Sequence, residues 1–235
     1  MSLAMPDSAL GLLLLGFVLG LRHALDVDHL AAVSTIVSGR RSVGSASLVG
    51  ALWGLGHTAA LLVVGLLVIG LHGEIPPGVA RGLELGVAVM LVGLGTNLLW
   101  TLSRGGGIHL HGHAHGGREH VHFHVHDAAH VDDGDHHHPV RAARRPFAVG
   151  VVHGLAGSAA LMLAILATIP SPSLAVAYIV VFGVGSVAGM VAMSTLLGLP
   201  LVLAAERFAR ADAVLRTCAG VGSIVVGIAF GWRLA

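Results

Sequence analysis

The sequence predicts an all-α, polytopic membrane protein of six transmembrane helices, arranged as a 3+3 inverted repeat. Three observations carry that prediction. Of 235 residues, 55% are hydrophobic and only 11% charged, against about 25% charged in a soluble domain, so the chain lacks the polar surface to remain in water. Mean hydropathy is correspondingly high, at +0.86. Six stretches reach the roughly 20 mostly apolar residues that cross a bilayer, and short matches recur between the two halves of the chain at a nearly constant offset.

The spans are expected at about 9–37, 46–71, 82–102, 147–169, 174–197 and 214–232. The first is long enough to be tilted or broken. It has no basic leader and no clear cleavage site, so it reads as a span and not as a signal peptide. Between the fifth and sixth, residues 200–212 carry Glu206, Arg207 and Arg210 and read as a short interfacial helix or loop. The 34 glycines suit closely packed membrane helices. The single cysteine, Cys218, excludes an intramolecular disulfide and a cysteine-based zinc site.

Orientation follows from the arginines, which supply every basic residue. With six spans, ten of the 13 fall on one side (Arg40, Arg41, Arg104, Arg118, Arg141, Arg144, Arg145, Arg207, Arg210 and Arg216). Arg81 and Arg233 fall on the other, and Arg22 lies inside the first span. The bias predicts a multi-pass protein of the cell membrane with the arginine-rich loops cytoplasmic and both termini outside.

Sliding the first span by 130 residues sets FVLGLRHAL (17–25) against FAVGVVHGL (147–155), so that His23 meets His153. An offset of 129 sets Trp53-Gly-Leu-Gly56 against Phe182-Gly-Val-Gly185, and one of 134 matches Gly86 with Gly220 and Gly93 with Gly227. Three spans per half is an odd number, so the halves must be inverted, a recurring transporter plan with its site near the midplane. The chain thus divides into a first membrane repeat (1–102), a cytoplasmic segment (103–146) and a second membrane repeat (147–235).

Ionisable residues inside an apolar span are costly and read as functional by default. The stretch FVLGLRHALDVDHLAAVSTIV (17–37) holds His23, Asp26, Asp28 and His29, and imidazole with carboxylate is a ligand set for first-row divalent metals. On a regular helix His23, Asp26 and His29 share one face and Asp28 points elsewhere. Convergence of His23, Asp28 and His29 on one ion therefore requires a helix wound tighter or broken there. The alternative is a pair of buried ion pairs, with Arg22 facing an aspartate. His57, between Gly56 and Thr58, is a candidate ligand or a packing residue. His153 gains weight from its match to His23, although Ser158 and Ala159 stand where the first repeat has Asp28 and His29. Thr96, Asn97 and Ser186 read as helix-bridging polar residues. Residues 109–138 hold twelve of the 17 histidines and read compositionally as a metal-binding, disordered tract. Because imidazole binds metal only when neutral, its occupancy should fall with acidity.

RHALDVDHLAAVS (22–34) with WGLGHTAAL (53–61) resembles the nickel/cobalt transporter family, and most closely its shorter, urease-accessory-like nickel permeases. The family signature His-x4-Asp-His following Arg stands here as His23, Asp28 and His29, with Asp26 also in place. The resemblance implies high-affinity uptake of Ni2+, with Co2+ the second candidate. It implies His23, Asp28 and His29 as direct ligands, and Asp26, His57 and His153 as further ligands or supports. Larger members have about eight spans and acidic motifs in their second half, where this chain has Ala-Gly-Ser at 156–158. A histidine-rich loop also occurs in related nickel/cobalt exporters, so export remains the rival direction.

A chain without lysine has no nucleotide-binding loop. The expected protein is therefore a secondary transporter or permease and not an enzyme. It needs no cofactor beyond its transported ion, and its partners are that divalent ion and the lipid bilayer, not nucleic acid. A membrane metalloenzyme and a metal sensor built on the histidine tract are the readings from other classes.

Overall fold

The computed structural model describes residues 9–40, 42–71, 76–104, 109–115, 118–124, 139–155, 165–166, 168–207 and 209–234. Its described helices are α1 (Ala9–His23), α2 (Val27–Val37), α3 (Val43–Leu71), α4 (Pro77–Ser103), α5 (Pro139–Leu155), α6 (Pro172–Arg207) and α7 (Ala209–Leu234). Three of them, α4, α5 and α6, begin on proline; the first turn has no use for the missing N–H, and the fixed φ is already helical.

Four helices, α3, α4, α6 and α7, are long and apolar enough to cross a bilayer, and the bent pair α1–α2 makes a fifth span if its halves count as one. The fourth expected span falls partly outside the described residues, with α5 covering its first part. Side chains such as Val214, Val221, Val225, Ile228 and Trp232 of α7 remain exposed. Their spacing of three, four and seven keeps them on one stripe, which lipid would cover.

Two local expectations change. The fifth helix does not stop near residue 197 but runs 36 residues, through Pro200 to Arg207. In an apolar medium unpaired backbone groups are costly, so a helix that loses one bond at proline persists while its sequence stays apolar. Within 103–146, expected to be wholly irregular, β1 (His109–His115) and β2 (Arg118–His124) pair antiparallel, with His109 opposite His124 and His113 opposite His120. Histidine alternates there with small or apolar residues, which is the two-residue period of a strand. The rest of the histidine tract lies outside the described residues.

The helices pack through glycine. A Cβ on Gly20 would overlap the carbonyl oxygen of Phe182, and one on Gly150 would overlap that of Trp53. Likewise Gly185 abuts the carbonyl of Phe17, and Gly56 that of Phe147. These contacts form corresponding pairs under the 130- and 129-residue offsets, so the α1–α6 crossing has its counterpart in the α5–α3 crossing. Both crossings are parallel, whereas α3 meets α6 antiparallel, with Gly54 against Val187 and Gly183 against Thr58. Hydroxyls also tie helices together: Ser47 and Thr195 share a hydrogen bond of 2.7 Å across the α3–α6 seam, and Ser223 of α7 donates to the Leu91 carbonyl of α4 at 2.8 Å. Two apolar clusters result, one containing Trp53 and Met190 and the other Tyr178 and Phe182.

The first span is broken where the polar residues fall. After His23 the chain tightens, with Leu25 N–H donating to Arg22 O at 2.9 Å and Asp26 N–H to His23 O at 3.1 Å. These i→i+3 bonds make a 3₁₀-type turn. The helix restarts when Leu30 N–H reaches Asp26 O at 3.0 Å, and α1 and α2 differ in direction by 55°.

Candidate metal centre

The break decides which side chains meet. His23 closes α1, Asp26 sits at the N-cap of α2, and Asp28 and His29 lie in the first turn of α2. His57 comes from α3 and His153 from the last turn of α5. His29, His57 and His153 are fully buried, and His23 and Asp28 retain only 6% and 3% exposure. Asp26 is half exposed. Thus Asp28, which a regular helix would turn away, points inward, and Asp26 moves to the rim. Arg22 is exposed, and the aspartates pair with histidines instead.

The six candidate residues form two hydrogen-bonded trios, Asp28–His29–His153 and Asp26–His23–His57, which meet through ring contacts of His29 with His23 and His57. Asp28 Oδ1 accepts the His29 backbone N–H at 2.9 Å and lies 3.1 Å from His29 Nδ1, while Asp28 Oδ2 lies 3.0 Å from His153 Nε2. Asp26 Oδ2 lies 2.9 Å from His23 Nδ1, and the Nε2 atoms of His23 and His57 are 3.1 Å apart. Tautomers follow from this pattern, because an ionised carboxylate only accepts. His29 and His23 then carry their protons on Nδ1 and His153 on Nε2. His57 must donate from Nε2, since the Nε2 of His23 is left with a lone pair. The nitrogens so assigned a free lone pair are His29 Nε2, His57 Nδ1 and His153 Nδ1, and these are the ring nitrogens without a hydrogen-bond partner among the described residues. Buried polar atoms are seldom left unpaired; basic nitrogens left without a partner on three rings of one histidine cluster invite a cation.

Two groups have ligand atoms within 4.8 Å of one another: His23, His29 and His57, and Asp28, His29 and His153. Ligand nitrogens about 2 Å from one ion stand roughly 3 Å apart, which matches the His23–His57 separation. A carboxylate on the far nitrogen of a ligating histidine orients the ring and raises its basicity; Asp26 on His23 and Asp28 on His29 stand in that relation.

Residues 9–215 match the profile of NicO, described as high-affinity nickel-transport protein. The chain belongs to the NicO family. This NicO chain is 34% identical over 230 residues to the urease accessory protein UreH of Bacillus sp. strain TB-90, covering 96% of the chain and 92% of that relative. Shorter matches join it to a high-affinity nickel transport protein of Cupriavidus necator, 38% identical over 60 residues (25% of this chain, 17% of that one). Another is the cobalt transport protein NhlF of Rhodococcus rhodochrous, 41% identical over 59 residues (23% and 16%). No solved structure matches significantly. The NicO family is one of transporters, not enzymes, and with its apolar helices this member is a multi-pass membrane protein.

Sequence reasoning missed the aromatic walls of the centre. Trp53 is fully buried, with its ring 5.2 Å from that of His29 and 5.6 Å from that of His153. Phe182 lies 5.6 Å from His23. The sequence match of Trp53 with Phe182, beside that of His153 with His23, held this signal: the histidine of each half faces the aromatic of the other. Thr96 and Asn97 are exposed and outside the cluster, Ser186 is buried, and Ser158 lies outside the described residues.

Proposed function

We propose that this NicO protein carries Ni2+, and Co2+ as a second substrate, into the cell through the buried histidine cluster. The observation that carries the reading is the convergence of four histidines from α1, α2, α3 and α5 on one another, with basic nitrogens that have no hydrogen-bond partner among the described residues. The ion sits among His23, His29 and His57; for all three to bind through Nε2, the His57 proton moves from Nε2 to Nδ1, which breaks its hydrogen bond to His23. Asp26 and Asp28 hold two of those rings, and Asp28 ties His153 to the same centre.

The wider architecture is six spans in two inverted halves, with α5 and the residues following it forming the fourth. The corresponding glycine contacts support it, since α1 and α5 each lie parallel to a partner that is antiparallel to the other's. The arginine bias supports external termini and a cytoplasmic histidine-rich segment, in the cell membrane. That segment gathers ions at the inner mouth and is accessory to transport. A divalent ion entering down about 100 mV gains roughly 4.6 kcal/mol, enough to concentrate it about a thousandfold without a nucleotide.

Radiolabelled-nickel flux into liposomes with an inside-negative potential tests the reading. The parent protein should accumulate the ion and His29→Ala should not. Equal flux in the two, or no flux in either, would overturn it; and less nickel in expressing cells than in empty ones would reverse the direction.

A further inference from the structure

A centre this buried needs an approach. A cavity of about 550 Å³ lies between the start of α2, α4 and the end of α7, and its lining includes Asp26, Asp28, Glu84, Ala229 and Arg233. At about 30 Å³ per water it has room for more than ten waters, so a divalent ion fits with its hydration shell. Two of its wall residues are also members of the buried network: Asp28 binds His29 and His153, and Asp26 binds His23. Behind that wall stand fully buried nitrogens of His29 and His153 that have no hydrogen-bond partner among the described residues. The remaining ionisable lining is Glu84, half-buried on α4, and Arg233, exposed near the end of α7. Three carboxylates against one guanidinium leave the cavity net negative. Negatively lined clefts concentrate cations and speed their arrival.

We propose that this cavity is the vestibule through which a hydrated divalent cation reaches the centre, with Glu84 as its capture carboxylate. The inference rests on the transport reading above. Glu84 belongs to neither the His-x4-Asp-His stretch nor the Gly-x-Gly-His motif, and it comes from a helix that supplies no histidine to the cluster. The vestibule lies toward the end of α7 and the beginning of α4, which is the arginine-poor side and hence the outer one. The protein is therefore open outward in this structure. Glu84 acts before coordination, on capture, while Arg233 moderates the field so that the ion is drawn in without being trapped at the mouth.

Charge substitutions of opposite sign test the capture role. Glu84→Gln should raise the KM for Ni2+ uptake roughly five- to tenfold, the scale of one lost charge interaction with a divalent ion in a hydrated site, with Vmax unchanged. Arg233→Gln should lower KM. A KM unchanged by Glu84→Gln, or raised alike by both substitutions as a merely structural role would have it, overturns the proposal. Position is tested in a Cys218→Ser background carrying Ala229→Cys. A membrane-impermeant thiol reagent applied outside intact cells should label that cysteine, and Ni2+ should slow the labelling; labelling from the cytoplasmic side only, or none in a variant that still transports, overturns it. The two readings fail separately: absence of Ni2+ flux in the parent defeats the transport reading, whereas parent flux lost in His29→Ala but indifferent to Glu84 defeats the vestibule alone.

Discussion

Asp28 and Asp26 are two residues apart and chemically alike, yet the fold gives them different duties. Asp28 is buried and accepts from His29 twice and His153 once; Asp26 is half exposed and accepts from His23 alone. Removing a carboxylate from the far side of a ligating histidine typically weakens metal binding about 10- to 100-fold. Asp28→Asn should therefore weaken equilibrium Ni2+ binding to the purified protein within that range, because an amide cannot accept all three bonds with both of its ends. Asp26→Asn, cushioned by solvent, should cost less than about tenfold. A loss for Asp28→Asn as complete as that for His29→Ala would instead make Asp28 a direct ligand. The candidate residues were legible in the sequence as polar groups in an apolar run. Their roles were not, since a role depends on which nitrogen of each ring faces which neighbour. Trp53 and Phe182 escaped notice for a related reason: an aromatic in an apolar helix has no compositional contrast.

At the level of elements, the broken first span was foreseeable because a regular helix cannot turn His23, Asp28 and His29 to one point. The break is made by two i→i+3 bonds and a 55° change of direction, which carry His29 on α2 back toward the end of α1, its ring centroid 4.6 Å from that of His23. Helix-to-helix spacing is set by glycines whose missing Cβ admits another backbone. Gly20→Ala and Gly150→Ala, corresponding positions at the two parallel crossings, should each destabilise the protein by about 1–3 kcal/mol through overpacking. The readout is a lower Tm in detergent. Gly86→Ala and Gly93→Ala, where an added Cβ meets nothing within 4 Å, should be neutral or slightly stabilising, since alanine is the better helix former by about 1 kcal/mol. Equal Tm values across the four would dismiss the close-approach argument. The long α6 was misjudged from sequence because proline weakens a helix locally, whereas an apolar medium penalises leaving it.

Across the whole molecule, the two halves contribute unequally to a centre that lies between them. The first supplies His23, Asp26, Asp28, His29 and His57, and the second supplies His153, with Phe182 against His23. At the offset that pairs Trp53 with Phe182, His57 corresponds to Ser186, whose buried hydroxyl has no hydrogen-bond partner among the described residues. The second half thus shares glycine contacts with the first but supplies fewer of the clustered polar residues. The histidine-rich segment stands apart from this centre in sequence and supplies none of its six residues. Deleting residues 109–138 should leave Ni2+ flux into liposomes intact in Vmax and change only KM or regulation; complete loss of flux in a folded deletion variant would place the segment in the transport path.

The sequence by itself determined that the chain lives in a membrane and marked the polar residues that the structure gathers, because burying charge in an apolar run is costly enough to single such residues out. It also showed glycines and histidines in matching order in the two halves, and the glycines at matched positions make corresponding helix contacts. Only the tertiary structure decided that Asp28 faces inward and Asp26 outward, that His57 and His153 close on His23 and His29, and that Glu84 shares a cavity with the motif. These are relations between helices. They depend on a bend in one helix and on close glycine crossings between others, and no periodicity within a single segment can express them.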